Sequence, residues 1–185
     1  MKLRFAAALA TGAVVLAAAP SVSAHFILMQ PKGAIEENQL GDPQKLGHCR
    51  GTTANAGTPT GIVTAVIGGE LLHLHVKETI YHPGHFRLAL SVLDRAELRA
   101  DPEDVTRDGP RGPISVSGKI DPNPKPPVLV DGLWEHHERK PAQEFEADVM
   151  VPNINCDHRS LQVIQFMEEH GVNTDGRSPT TTALI

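Results

Sequence analysis

Aromatic side chains are scarce in this 185-residue chain, with one Trp, one Tyr and five Phe. Few residues are therefore available for a row of exposed rings that would stack on flat ligands. Positive charge is also in the minority, with 17 Lys and Arg against 22 Asp and Glu and no basic run. An acidic chain without a basic patch is a poor partner for nucleic acid. Beyond residue 24 no segment is apolar enough to cross a membrane. There is no internal repeat and no long amphipathic helix pattern. Cysteine is limited to Cys49 and Cys156.

The amino terminus carries the clearest signal. Lys2 and Arg4 precede an apolar stretch from Phe5 to Ala19, Pro20 breaks it, and Val22-Ser23-Ala24 supplies small residues for a signal peptidase. The run is about fifteen residues, short of the roughly 20 needed to span a bilayer. Residues 1–24 are expected to be a cleaved leader, with His25 as the new first residue. The remaining chain, 25–185, suits one domain with its own core. Loss of Lys2 and Arg4 takes its formal charge from −5 to −7. The expected destination is the periplasm or the medium, where disulfides persist. A Cys49–Cys156 bridge would close a loop of about a hundred residues, worth about 4–5 kcal/mol in the chain-entropy model. Spacing alone does not bring the two cysteines together.

The mature part reads as β-rich. Residues 26–60 begin with a short strand and continue as Gly/Pro-rich loop. Gly61 to Ile67 is apolar and β-branched, and Gly68-Gly69 makes a turn. Leu72, Leu74 and Val76 alternate with His73, His75 and Lys77, as in a half-buried strand. A second strand, with Phe86, Leu88, Leu90 and Val92, leaves the tight turn at His82-Pro83-Gly84. Residues 94–113 are charged and broken, with a helical turn expected from Arg95 to Ala100. The Pro-rich run 121–127 is an extended connector. Phe145, Ala147, Val149 and Val151 form another alternating strand, and Leu161 to Met167 the last one. Short strands with such connections predict an antiparallel β-sandwich with long loops.

All ten histidines lie after residue 24, which directs attention to metals. A histidine at a free amino terminus can chelate one ion through its α-amino nitrogen and its ring Nδ1. The amine has an ordinary pKa near 8, so a metal displaces its proton at neutral pH with little penalty. One further imidazole completes a T-shaped set of three nitrogens, the histidine brace, and nitrogen-rich tetragonal sites favour Cu(II). By itself an N-terminal His means little, but Phe26-Ile27-Leu28 would anchor this one in a strand. His82 and His85 flank Pro83-Gly84 where two strands meet. Taken alone they read as two solvated turn residues. His73 and His75 fall on a polar strand face, and an adjacent pair such as His136-His137 seldom aims both rings at one ion. His158 follows Cys156-Asp157 in a loop that approaches a site as readily as it avoids one. His48 and His170 give no signal.

Several pieces occur in a familiar order: the leader, His25-Phe26, Gly47-His48-Cys49-Arg50-Gly51, Glu78-Thr79-Ile80-Tyr81-His82-Pro83-Gly84-His85-Phe86-Arg87, and Cys156 leading to Leu161-Gln162-Val163-Ile164-Gln165-Phe166. Over most of residues 25–167 the chain resembles bacterial lytic polysaccharide monooxygenase-like proteins. The resemblance implies an immunoglobulin-like or fibronectin-III-like sandwich with one mononuclear copper ion. It implies His25 and His82 as ligands, with His85 as the runner-up. It further implies oxidative cleavage of a glycosidic bond in a polysaccharide of the chitin or cellulose type. Gln162 or Gln165 would be a donor beside the copper site, the other pointing into solvent; Phe166 is either a stand-in for the aromatic that packs on the axial side or, the better reading, a core residue.

The chain departs from the family's pattern at Arg159, where a second Cys is usual, and in a tail, about 171–185, that lacks both Cys and aromatic residues. That tail is expected to be atypical or disordered. The competing reading is a monomeric, non-catalytic periplasmic copper protein that exchanges its ion with a copper donor or acceptor.

Overall fold

Period-two alternation builds most of the strands. In the computed structural model they are β1 (His25–Gln30), β2 (Leu71–Ile80), β3 (Gly84–Leu90), β4 (Thr106–Gly109), β5 (Gly112–Val116), β6 (Val128–His136), β7 (Glu144–Met150), β8 (Leu161–Gly171) and β9 (Thr180–Leu184). The structure describes residues 25–43, 56–98, 105–116, 118–140, 143–157, 159–172 and 180–185. The leader and its cleavage point, His48, Cys49 and His158 lie outside the described residues. Cys156 is exposed, and its pairing with Cys49 falls outside them too.

The strands form two antiparallel sheets. The first has the order β1-β2-β7; the second runs β4-β5-β8-β3-β6, with β9 also paired to β8. Between them Phe26, Leu28, Leu74 and Val76 from the first sheet meet Phe86, Leu88, Leu161 and Val163 from the second. This is the predicted sandwich. Burying each such side chain stabilises the fold by about 1.5–3 kcal/mol. The polar partners of the alternation face outward on the first sheet. There His73 Nδ1 lies 2.8 Å from Asp148 Oδ1, and His75 Nε2 lies 3.0 Å from Glu144 Oε2. Both pairs are exposed, so each adds little.

Three expectations need correction. Gly61 to Ile67 forms no strand; Ile62, Val63 and Ile67 are half or more exposed despite their apolar character. Three strands, β4, β5 and β6, sit where no strand was expected. Gly109-Pro110 lies in the turn between β4 and β5, and Asp131-Gly132, a turn dipeptide, lies inside β6. The pairing Gly84↔His136, Phe86↔Leu133, Leu88↔Val130 sets three residues of β6 against two of β3, twice. Gly132 (φ 73°) and Trp134 (φ 50°) occupy these bulges, which re-aim the side chains beside them. Leu161 to Met167 is not the last strand either. β8 continues to Gly171, and β9 adds to it, with Ala183 buried in the core. The helical turn expected near residue 95 is a single 3-10 turn, Arg95–Glu97, capped by the Asp94 side chain accepting from Ala96 N–H.

The crossing between sheets is the feature that positions the site. β2 ends at Ile80, and Tyr81-His82-Pro83 carries the chain into β3. Gly84 has φ 152°, and a Cβ there would run into the backbone carbonyl oxygen of Phe166. Only glycine lets β8 approach this closely. Gly84→Ala is expected to lower the unfolding free energy by at least about 3 kcal/mol, read as a fall in urea midpoint with unchanged slope.

Candidate metal centre

His25 opens β1 opposite Ile80, so the strand start lies two residues from His82 in register. Thr79 Oγ1 donates to His25 O (3.0 Å) and also reaches Leu40 O (2.7 Å), fixing the 38–42 turn beside it. Asn38 Oδ1 shapes that turn by accepting from Leu40 and Asp42 N–H. The turn presents Asp42, whose Oδ1 lies 2.9 Å from His25 Nε2. A carboxylate only accepts, so Nε2 carries the proton, and in a neutral ring the lone pair is on Nδ1. That is the tautomer a brace requires, held by a carboxylate as metal-binding imidazoles commonly are.

His82 is set by its backbone and by burial. Its N–H donates to Glu78 Oε1 (3.1 Å). Its ring Nε2 is a buried nitrogen without a hydrogen-bond partner among the described residues. Burial, then the charges of His170 and, with smaller effect, His25 and Arg139, push the imidazole down to about 4 against the pull of Glu78. The ring thus stays neutral, with a lone pair to offer, through most of the acid range. An orphaned buried imidazole nitrogen beside the start of β1 fits a copper ligand.

Glu78 organises the turn from inside the sandwich. Its Oε1 accepts from Gln165 Nε2 (2.6 Å) and lies 3.3 Å from His136 Nε2; its Oε2 accepts from Gln143 Nε2 (2.7 Å). Burial would raise its pKa, but the His136 hydrogen bond and the His82 backbone N–H hold it below the ordinary value. His136 has acceptors at both ring nitrogens: Trp134 O at 2.7 Å from Nδ1, and His82 O at 2.8 Å from Nε2. Burial opposes its charge, yet Glu78 and these carbonyls raise its pKa. It is therefore an imidazolium that ties the His82 turn to β6.

The other predicted residues fall elsewhere. His85 turns to the outer face of the second sheet, 3 % exposed, with Nε2 3.4 Å from Asp131 Oδ1 and its ring stacked on Phe166 at 4.9 Å. Phe166 accordingly packs on His85, not on His82. Both Gln162 and Gln165 are fully buried, so neither points into solvent. Gln165 reaches the site through Glu78, whereas Gln162 lies one residue out of step with that inward face. His137 is exposed, between Glu135 and Glu168.

Glu78, His136 and His170, to which the sequence assigned no role, all stand at the site. The ring of His170 lies 5.5 Å from that of His82. A usable signal existed for Glu78, which follows Leu72, Leu74 and Val76 on one strand face. Gln165 likewise continues Leu161 and Val163. Two polar groups at inward positions of facing strands predict a buried contact. Nothing comparable marks His136, because the bulges before it reset its face.

No known protein family, curated protein or solved structure matches the chain. Among the described residues, no group of three or more His, Cys, Asp or Glu side chains is gathered as a metal site. A brace takes only two imidazoles, its third nitrogen being backbone. Also among the described residues, no helix is long and apolar enough to cross a membrane.

Proposed function

We propose that the chain is an exported copper-binding protein of the lytic polysaccharide monooxygenase-like class, with an immunoglobulin-like sandwich. Its freed His25 amine, His25 Nδ1 and the His82 imidazole hold one copper ion. The observation that carries this reading is the orphaned Nε2 of His82, two register positions from the start of β1. Asp42 supports it by fixing the His25 tautomer. Copper at such a site supplies one-electron activation of oxygen or peroxide for attack on a glycosidic bond. The chain's own part is to hold the ligands rigid: Glu78 and His136 brace the His82 turn, and Thr79 with Asp42 brace His25. With copper, reductant and peroxide, the mature protein is expected to release oxidised oligosaccharides from chitin or cellulose, detected by mass spectrometry.

A second reading, copper storage or delivery without catalysis, has its own support. Phe26, Phe86 and Phe166 are buried, and Trp134 stacks on Phe145 against the core. Of the six Phe, Tyr and Trp rings after residue 24, only Tyr81, half-buried next to His82, is not packed in or against the core. Tight copper binding with no oxidised product from a broad polysaccharide panel selects this reading over the first.

A further inference from the structure

The outer face of the second sheet carries a cavity that has no part in the His25–His82 end. His85 and Arg87 alternate outward from β3, and both are buried. The Pro-rich connector folds back over them, so that Lys119 and Lys125 stand at the mouth of a cavity of about 120 Å³. Asp131 lies in its wall, placed there by the bulge at Gly132. The Arg87 guanidinium lies 5.0 Å from the centre of the Phe166 ring, which also lines the cavity.

Charge and size narrow the occupant. Arg87, Lys119 and Lys125 face two carboxylates, Asp121 and Asp131, leaving one net positive charge before His85 is counted. The Asp131 carboxyl is engaged locally: Oδ1 accepts from Gly132 N–H (3.0 Å) and meets His85, and Oδ2 accepts from Asp121 N–H (3.0 Å). Those contacts keep it ionised against the burial that would raise its pKa. A doubly charged ligand would overmatch the lining, and a cation would meet net repulsion. At about 120 Å³ the cavity is below the ~300 Å³ where pockets for drug-sized ligands begin, which suits a small ligand. Phe166, Val128 and Pro124 add apolar wall.

We propose that this cavity binds a short-chain monocarboxylate, its carboxylate toward Arg87 and the two lysines and its carbon end against Phe166. The proposal does not rest on the copper reading. The test follows the His85 ring resonances by NMR while sodium acetate, propionate or inorganic phosphate is added at constant ionic strength. Acetate and propionate are expected to move them saturably, and phosphate to bind more weakly. Lys125 is exposed, so Lys125→Glu is expected to fold normally and to weaken acetate about tenfold, as for loss of a hydrogen bond to a charged group. Lys119→Glu provides the same test from the other side of the mouth. Unmoved His85 resonances in acetate and propionate, equal affinity for phosphate, or charge-reversed variants that bind acetate like the unmodified protein would each overturn the assignment.

Discussion

Replacing His82 with leucine is expected to weaken copper binding by the mature protein more than about a hundredfold. Removing a residue that only orients a ligand typically costs ~10–100-fold in metal affinity, and loss of a ligand costs more. The same change is expected to leave the metal-free protein as stable as before, or more so. A buried nitrogen without a hydrogen-bond partner costs about 1–3 kcal/mol, and leucine removes that nitrogen while keeping much of the volume. Copper at a thousand times its dissociation constant raises the unfolding free energy by about 4 kcal/mol, and His82→Leu should abolish that gain. His85→Gln is the matched control. Its ring lies on the outer face against Phe166 and Asp131, so copper affinity should stay within about twofold, beneath the effect of even an orienting residue. Titration calorimetry and thermal melts with and without copper read all of these quantities. A reversed pattern, with His85→Gln losing copper, would transfer the ligand to His85.

Glu78→Gln is expected to destabilise the fold by about 3–5 kcal/mol, because it leaves a buried imidazolium without its carboxylate. The Glu78 and His136 side chains are 1 % and 9 % exposed, so solvent does little to screen the loss. The pH dependence carries the same signature. Glu78 is held below its ordinary 4.5, so its contribution is present above pH 4.5 and is lost as pH falls through the lower folded value. His136 is raised above 6.5, so its contribution is full below pH 6.5 and is lost as pH rises through the folded value. His82 acts in the opposite sense to His136. Its folded value is about 4, so the unfolded chain takes up the proton first as pH drops from 6.5 toward 4, and stability falls. Stability from these three groups should peak near pH 6.5. In Glu78→Gln the acid limb should shrink, since the carboxylate no longer titrates. Urea unfolding at a series of pH values checks both the size and the shape.

The sandwich was legible because its inner strands obey simple alternation. Leu72-Leu74-Val76 and Phe145-Ala147-Val149 point inward as their spacing requires. β4, β5 and β6 were not legible, since Gly109-Pro110 and Asp131-Gly132 look like chain breaks and instead serve as a hairpin turn and a bulge. At the site, His25 and His82 stand out in the sequence because a histidine expected at a freed terminus and a His-Pro-Gly turn have distinct chemistry. Their proximity depends on β1–β2 register, which the sequence does not set by itself. His136 was hidden for a related reason. A residue after two bulges has no face that can be counted from its neighbours.

Copper-titrated electron paramagnetic resonance on the protein beginning at His25, beside a form with one glycine added before it, tests the central claim most directly. The account predicts one tightly bound Cu(II) with a nitrogen-rich tetragonal signal in the first, and loss of that signal and affinity in the second. Equal binding and identical spectra from the two forms would contradict it, because the terminal amine would then not be a ligand.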